Sequence, residues 1–120
     1  MEQSILHVSH HGLEPSESLT AQIEEEAASL TALAPRATRC HVTVEVPHRH
    51  QRQGRHFRVR VELSVPGTVL VSDRDPAEHA AHEDAHQAVR EAFGAIHRQL
   101  EKRNGRLHER RSSATDSEIA

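Results

Sequence analysis

Hydrophobic and polar residues alternate strictly in two neighbouring segments of the chain. In residues 39–46 and again in residues 57–65, every second side chain is apolar, and the side chains between them are polar or charged. Alternation with a period of two is typical of strands that bury one face and expose the other. The loop between them, HRHQRQG, has a length that suits an antiparallel hairpin. We therefore predict two paired strands whose inward side chains are Cys40, Val42, Val44, Val46, Phe57, Val59, Val61, Leu63 and Val65.

Two shorter segments complete the predicted sheet. Residues 4–9 (SILHVS) have the β-branched and apolar content of a short strand. Residues 68–72 (TVLVS) follow Pro66-Gly67, a tight-turn signal, and are predicted to be the last strand of a meander. The polar segment that follows, residues 73–83, contains Pro76 and predicts a loop.

Apolar residues recur at helical spacing in two other segments. The first segment begins after Ser16, a favourable N-cap residue, and ends at Pro35; its apolar positions are Leu19, Ile23, Ala27, Leu30 and Ala34. The second segment is predicted to end near Gly105, and its stripe consists of Ala85, Val89, Ala92, Phe93, Ile96 and Leu100. Both patterns predict amphipathic helices.

The element order β-α-β-β-β-α predicts an α+β fold. Strands must bury their apolar faces, and two amphipathic helices can cover one side of a four-stranded sheet. We therefore expect a two-layer sandwich with both helices packed on one face. The folded domain is predicted to span residues 1–107, and residues 108–120, which lack apolar periodicity, are predicted to form a disordered tail.

Composition narrows the possible functions. The 120 residues indicate one domain, and the two aromatic residues, both Phe, argue against base stacking as a mode of RNA binding. The single cysteine, Cys40, cannot form an intrachain disulfide, and its position in an alternating strand predicts a small core residue. We see no secretory signal and no apolar run long enough for a membrane span. A cytoplasmic protein without membrane or DNA partners and without a cofactor is expected.

Basic side chains cluster on one side of the second helix. On a helical wheel, Arg90, Arg98, Lys102 and Arg106 lie away from the apolar stripe, and Arg103 lies at its border. The outward face of the strands adds Arg58 and Arg60. Such rows can contact phosphates, which gives salt-sensitive binding with little sequence dependence. The alternative is an ordinary solvated helix face, because Glu91 and Glu101 are interspersed among the basic residues.

Several strings, taken in order, resemble a known family. These are HVSHHGLEPSESLTAQI near the start and, later, PGTVLVS and HEDAHQAVREAFGAIHRQLEKRNGR. They resemble the first strand and helix, the turn and strand, and the acidic motif followed by a long basic helix of the bacterial ribosome hibernation promoting factors. This family is also called ribosome-associated inhibitors or sigma-54 modulation proteins. The resemblance covers residues 4–106 and is to the short form, without a further C-terminal domain.

The resemblance implies a translation inhibitor that is a monomer off the ribosome. Family members occupy the mRNA and tRNA channel of the small ribosomal subunit and keep ribosomes inactive in stationary phase or stress. By this resemblance, Arg90, Arg98, Lys102, Arg103 and Arg106 would contact ribosomal RNA. The chain departs from the family in its insertion DRDPAEHAA, in His86 at a position that is often Tyr, and in the acidic run Glu24–Glu26 of the first helix.

The twelve histidines leave a second hypothesis open. Residues 82–86 (HEDAH) fit the H-E-x-x-H pattern of zinc hydrolases, which requires both histidines on one helix face. The resemblance instead places Asp84 at the N-cap, so that His82 precedes the helix. No catalytic residue is therefore expected, and His79, His82 and His86 are weak candidates for metal binding. The alternative function is a metal-responsive or pH-responsive binding protein on the same fold without ribosome binding.

Overall fold

Six elements make up the fold in the predicted order. The computed structural model describes residues 5–46, 57–74 and 85–119, with side chains as far as Asp73 in the second range and Arg106 in the third. The elements are β1 (Leu6–His11), α1 (Glu17–Leu33), β2 (Arg39–Glu45), β3 (Arg58–Val65), β4 (Thr68–Arg74) and α2 (Ala85–Ile119). The predicted β-α-β-β-β-α architecture is confirmed.

The four strands form one mixed sheet in the order β1-β2-β3-β4. Strand β1 pairs in parallel with β2 because α1 carries the chain back between them, whereas β2–β3 and β3–β4 are antiparallel. The register places Val42 of β2 beside Val8 of β1 and Val61 of β3. Inward-pointing residues of neighbouring strands therefore meet on the same face of the sheet.

The core lies between that face and the two helices. Both helices cover one face, with α2 packed over β3 and β4. Full burial of each large aliphatic or aromatic side chain stabilises the fold by about 1.5–3 kcal/mol. Cys40 is fully buried, as expected of a small core residue, and burial raises the pKa of its thiol to about 11. The large side chains buried most completely are Phe93, Ile23, Leu30, Leu63, Ile96, Leu100, Val42, Val44, Val59, Val61 and Val89.

Helix α1 begins after Ser16, as predicted, and ends just before the predicted Pro35. The Oγ of Ser16 accepts a hydrogen bond of 3.1 Å from the backbone N–H of Leu19, which satisfies a donor that has no partner within the helix. The helix ends at Leu33, two residues before Pro35. The carbonyl of Leu33 accepts a hydrogen bond of 3.2 Å from the side-chain amide of Asn104 on α2.

The two helices run parallel to each other. Near their N-terminal ends, the Nε2 of Gln22 donates to the carbonyl of His86 at 2.8 Å, and the Nδ1 of His86 lies 2.5 Å from the Oε1 of Gln22. Near the other end of the pair, Asn104 meets Leu33. Polar contacts therefore join the helices at both ends of their shared length.

Three predicted boundaries were wrong; one is the end of β4, which continues to Arg74 although a loop was predicted from residue 73. Strand β1 spans Leu6–His11, not residues 4–9, because its pairing with β2 continues to His11 opposite Glu45 and the chain turns only at Gly12, with φ of 79°. Helix α2 does not end at Gly105 but continues to Ile119. Gly105 does not have the positive φ that a glycine C-cap requires. The separation of a domain at residues 1–107 from a disordered tail at residues 108–120 stays a prediction.

Strand β4 places a hydroxyl in the core and two valines outside it. Ser72 is 5 % exposed on the helix-facing side, and its Oγ has no hydrogen-bond partner among the described residues. On the opposite side, Val69 is 51 % and Val71 is 38 % exposed. The outward valines follow from the register, because Leu70 must oppose Leu63 on the inward face.

We expect Ser72→Ala to raise the free energy of unfolding by about 1 kcal/mol, because a buried hydroxyl without a partner loses its bonds to water and gains none. Urea unfolding of the variant and the parent protein measures the difference. Ser64→Ala, on the half-buried outer face of β3, is the matched control and should change stability by less than about 0.5 kcal/mol. A clear loss of stability in Ser72→Ala would mean that the hydroxyl is hydrogen-bonded.

Candidate nucleic-acid interface

The apolar stripe of α2 determines which of its residues face solvent. Ala88, Val89, Ala92, Phe93, Ile96 and Leu100 are all buried against the sheet and α1. Because helical residues are separated by about 100°, this fixes the opposite side as the exposed one. Four of the predicted RNA-binding residues lie there and are exposed, namely Arg90, Arg98, Lys102 and Arg106. Within the described part of the chain, none of the four forms an ion pair.

Arg103 differs from these four residues. It is half-buried, and its Nη2 donates a hydrogen bond of 2.6 Å to the carbonyl of Pro66 in the turn between β3 and β4. The helical wheel had placed Arg103 at the border of the apolar stripe, which agrees with this position. Its guanidinium is thus engaged inside the molecule, and its predicted contact with RNA stays a prediction.

The structure does not bring Arg58 and Arg60 together with the basic residues of α2. Both arginines lie on the outer face of the sheet, opposite the helices. Arg58 donates from Nε and Nη2 to the two carboxylate oxygens of Asp73, at 3.0 and 2.9 Å. Arg60 contacts Asp73 at 3.3 Å and Glu62 at 3.2 Å. Their charges are largely neutralised by neighbouring carboxylates, which weakens the prediction that they contact phosphate.

Several charged side chains on the outer face of the sheet thus form one network of ion pairs and hydrogen bonds. Glu45 joins it through a contact of 3.6 Å with Arg58, and His41 lies 3.7 Å from Glu62. The hydrogen bond from Arg58 is the largest cause that lowers the pKa of Asp73, and the charges of both arginines act in the same direction against partial burial. The network ties β2, β3 and β4 together on the side without helices.

The histidines do not assemble a metal site in the part of the chain described. No group of three or more potential ligands occurs among those residues. His86 on α2 is hydrogen-bonded to Gln22 on α1. The Oγ of Ser18 lies 3.5 Å from the Nε2 of His86. His79 and His82 lie outside the described residues. The hypothesis of a metal-responsive protein therefore gains no support from His86.

With this geometry in place, the chain can be compared with known proteins. The sequence profile of the family described as "Sigma 54 modulation protein / S30EA ribosomal protein" matches residues 6–108. The match spans all six elements as far as the first two-thirds of α2. The chain belongs to this family.

Solved structures agree on the fold of this sigma 54 modulation and S30EA family member. A ribosomal subunit interface protein from Coxiella burnetii superposes with a TM-score of 0.59 at 13% identity, over 82% of this chain and 98% of that one. The N-terminal domain of Protein Y from Thermus thermophilus gives a TM-score of 0.58 at 14% identity, over 81% and 96%. No curated protein matches the sequence.

Membership settles the coarse class of function. Family members are non-enzymatic proteins that associate with ribosomes and modulate them. The expectation that the chain is not an enzyme is confirmed by this membership. None of the described helices has the length and apolar content that spanning a membrane requires.

Sequence reasoning missed the polar side chains that hold α2 in place. Gln99 donates to the carbonyl of Val71 at 3.1 Å, and Asn104 donates to that of Leu33 at 3.2 Å. Gln22 joins the helices at the other end. Each of these residues lies beside the apolar stripe of its helix. This position alone does not predict a hydrogen bond to another element, because residues at the border of a stripe are often solvated.

The network around Asp73 predicts pH-dependent stability. The lowered pKa means that the folded protein binds the proton less tightly than the unfolded chain. Its stabilisation is therefore fully present above the ordinary pKa of 3.8 and is lost as pH falls through the folded pKa. Because the groups are partly exposed, we expect Asp73→Asn to cost no more than about 1 kcal/mol at neutral pH.

Urea unfolding at about pH 7 and about pH 3 tests this linkage, since the difference between Asp73→Asn and the parent should shrink as Asp73 becomes protonated. Glu24→Gln, on the exposed side of α1 and outside the network, is the control and should show no such change. A difference of the same size at both pH values would contradict the assignment.

Proposed function

We propose that this protein binds the small ribosomal subunit through the solvent-facing side of α2 and thereby inhibits translation. The observation that carries the proposal is the row of exposed cations Arg90, Arg98, Lys102 and Arg106, which have no carboxylate partner among the described residues. Family membership supports a ribosomal partner. The name of the Coxiella burnetii protein, a ribosomal subunit interface protein, is consistent with it.

The row is long enough to follow an RNA backbone. At a rise of about 1.5 Å per residue, Arg90 and Arg106 are separated by about 24 Å along the helix. Cations held along a rigid helix can neutralise phosphates that are several nucleotides apart, without contact to base edges. Such binding does not require stacking on aromatic side chains, and this chain has only two aromatic residues.

The charge of α1 restricts the orientation of the complex. Glu17, Glu24 and Glu25 are exposed on α1, which contains no basic residue. Phosphates would be repelled by this helix and attracted to its neighbour α2. We therefore propose that α2 faces the RNA and that α1 faces away from it. This arrangement allows RNA binding although the net charge of the whole chain is −3.

The proposal extends to the place that the protein occupies on the ribosome and to its effect there. We infer that the protein occupies the channel for mRNA and for the A- and P-site tRNAs and keeps ribosomes inactive under stress. A rigid sandwich in that channel would exclude mRNA and tRNA by its volume, so no chemistry is needed. The protein would act in the cytoplasm and be a monomer off the ribosome, without a cofactor.

Reversing two charges on α2 tests the contact surface. We expect Arg98→Glu with Lys102→Glu to abolish co-sedimentation with small ribosomal subunits, because two attractive phosphate contacts become repulsive. The matched control is Arg36→Glu with Arg39→Glu, which makes the same change of charge at exposed positions outside α2. Circular dichroism checks that both variants are folded. Equal binding by the two variants would rule out α2 as the contact surface.

The number of phosphate contacts predicts the dependence on salt. Each neutralised phosphate contributes about −0.7 to −0.9 to the slope of log K against log salt concentration, so four contacts predict a slope near −3. Titration of labelled protein with small subunits at a series of potassium concentrations measures this slope. A slope near zero would exclude phosphate contacts as the basis of binding.

A further inference from the structure

Three polar side chains in the middle part of α2 each donate to the backbone carbonyl of a different element. Gln99 reaches Val71 on β4 at 3.1 Å, Arg103 reaches Pro66 in the β3–β4 turn at 2.6 Å, and Asn104 reaches Leu33 at the end of α1 at 3.2 Å. We call Gln99, Arg103 and Asn104 the carbonyl anchors. They connect one stretch of α2 to the sheet edge, to the turn and to the other helix.

The carbonyl anchors lie at the end of the hydrophobic packing of α2 among the described side chains. Leu100 is buried, whereas residues 101–106 include no buried side chain. Among the described residues beyond Leu100, the polar contacts that join α2 to other elements are the hydrogen bonds of Arg103 and Asn104. Lys102 and Arg106 lie in this same stretch, on its exposed side.

Hydrogen bonds restrain a helix in a way that apolar packing does not. Hydrophobic contact is non-directional, whereas a hydrogen bond weakens steeply when its donor is displaced. With side chains, a helix has a radius of about 5–6 Å, so a rotation of 30° moves its surface by about 3 Å. That shift equals the whole length of a hydrogen bond, and it would displace Lys102 and Arg106 from phosphates held in a fixed RNA structure.

We propose that Arg103 and Asn104 are positioning residues: they fix the rotation of the distal part of α2 so that Lys102 and Arg106 meet ribosomal RNA, and Arg103 does not itself provide a phosphate contact. The inference rests on the proposed function. It assigns to Arg103 a role different from that of its neighbour Lys102, although both carry one positive charge at adjacent positions of the same helix.

Two charge-matched variants separate these roles. Arg103→Gln and Lys102→Gln remove the same charge, and both should weaken binding to small subunits by about threefold to tenfold. Lys102→Gln should reduce the magnitude of the salt slope by about 0.7–0.9, the value of one phosphate contact, and Arg103→Gln by less than half of that. A slope reduced equally in both variants would overturn the proposal, because Arg103 would then be a phosphate contact.

Asn104→Ala tests positioning without any change of charge. It should weaken binding of the folded protein while the salt slope is retained, and urea unfolding establishes that the variant is folded under the assay conditions. If Asn104 served only to stabilise the fold, affinity would not change. Unchanged affinity in Asn104→Ala would therefore overturn its proposed role.

Combined variants test whether Asn104 affects affinity through Lys102 and Arg106. In a background with Lys102→Gln and Arg106→Gln, adding Asn104→Ala should cost little further affinity, because the residues that it positions are already gone. The same change in an Arg90→Gln background should retain its full effect. Additive effects in both backgrounds would overturn the inference alone, whereas a parent protein that fails to bind at any salt would overturn the proposed function together with it.

Discussion

Burial of the apolar stripe of α2 against β3 and β4 is the constraint on which the other features of this protein depend. Phe93, Ile96 and Leu100 can leave water only if the helix presents one particular side to the sheet. That choice places Arg90, Arg98, Lys102 and Arg106 in solvent on the opposite side. The basic surface is thus a consequence of core packing, and Arg103 and Asn104 add hydrogen bonds to backbone carbonyls beyond Leu100, the last buried residue among the described side chains of α2.

The distribution of charge matters more than its sum. On the outer face of the sheet, Arg58 and Arg60 are paired with Asp73, Glu45 and Glu62, so the charges of these two arginines are largely neutralised. Helix α1 is acidic, and α2 holds exposed cations without partners among the described residues. A chain with a net charge of −3 can therefore present a surface suited to phosphates.

The fold could be predicted from the sequence because burial imposes its own period on the chain. Alternation in residues 39–46 and 57–65 and the helical stripe that begins at Ala85 both report which side chains leave water. The end of α2 was predicted wrongly because a glycine was interpreted as a cap, although it adopts helical geometry here. The partners of Arg58, Arg60 and Arg103 could not be predicted, since they depend on strand register and helix rotation, which bring together residues such as Arg103 and Pro66 that are distant in sequence.

Alkylation of single introduced cysteines tests most directly whether α2 is the ribosome-facing surface. The native Cys40 supplies a low background, because it is fully buried and its thiol pKa is about 11. Glu101→Cys places a probe on the exposed side of α2, where the native side chain is 63% exposed, and Val69→Cys places one on the outer face of the sheet, where the native residue is 51% exposed. Saturating small subunits should protect the probe at position 101 from iodoacetamide and leave the probe at position 69 reactive. Protection at position 69 with none at position 101 would contradict the account.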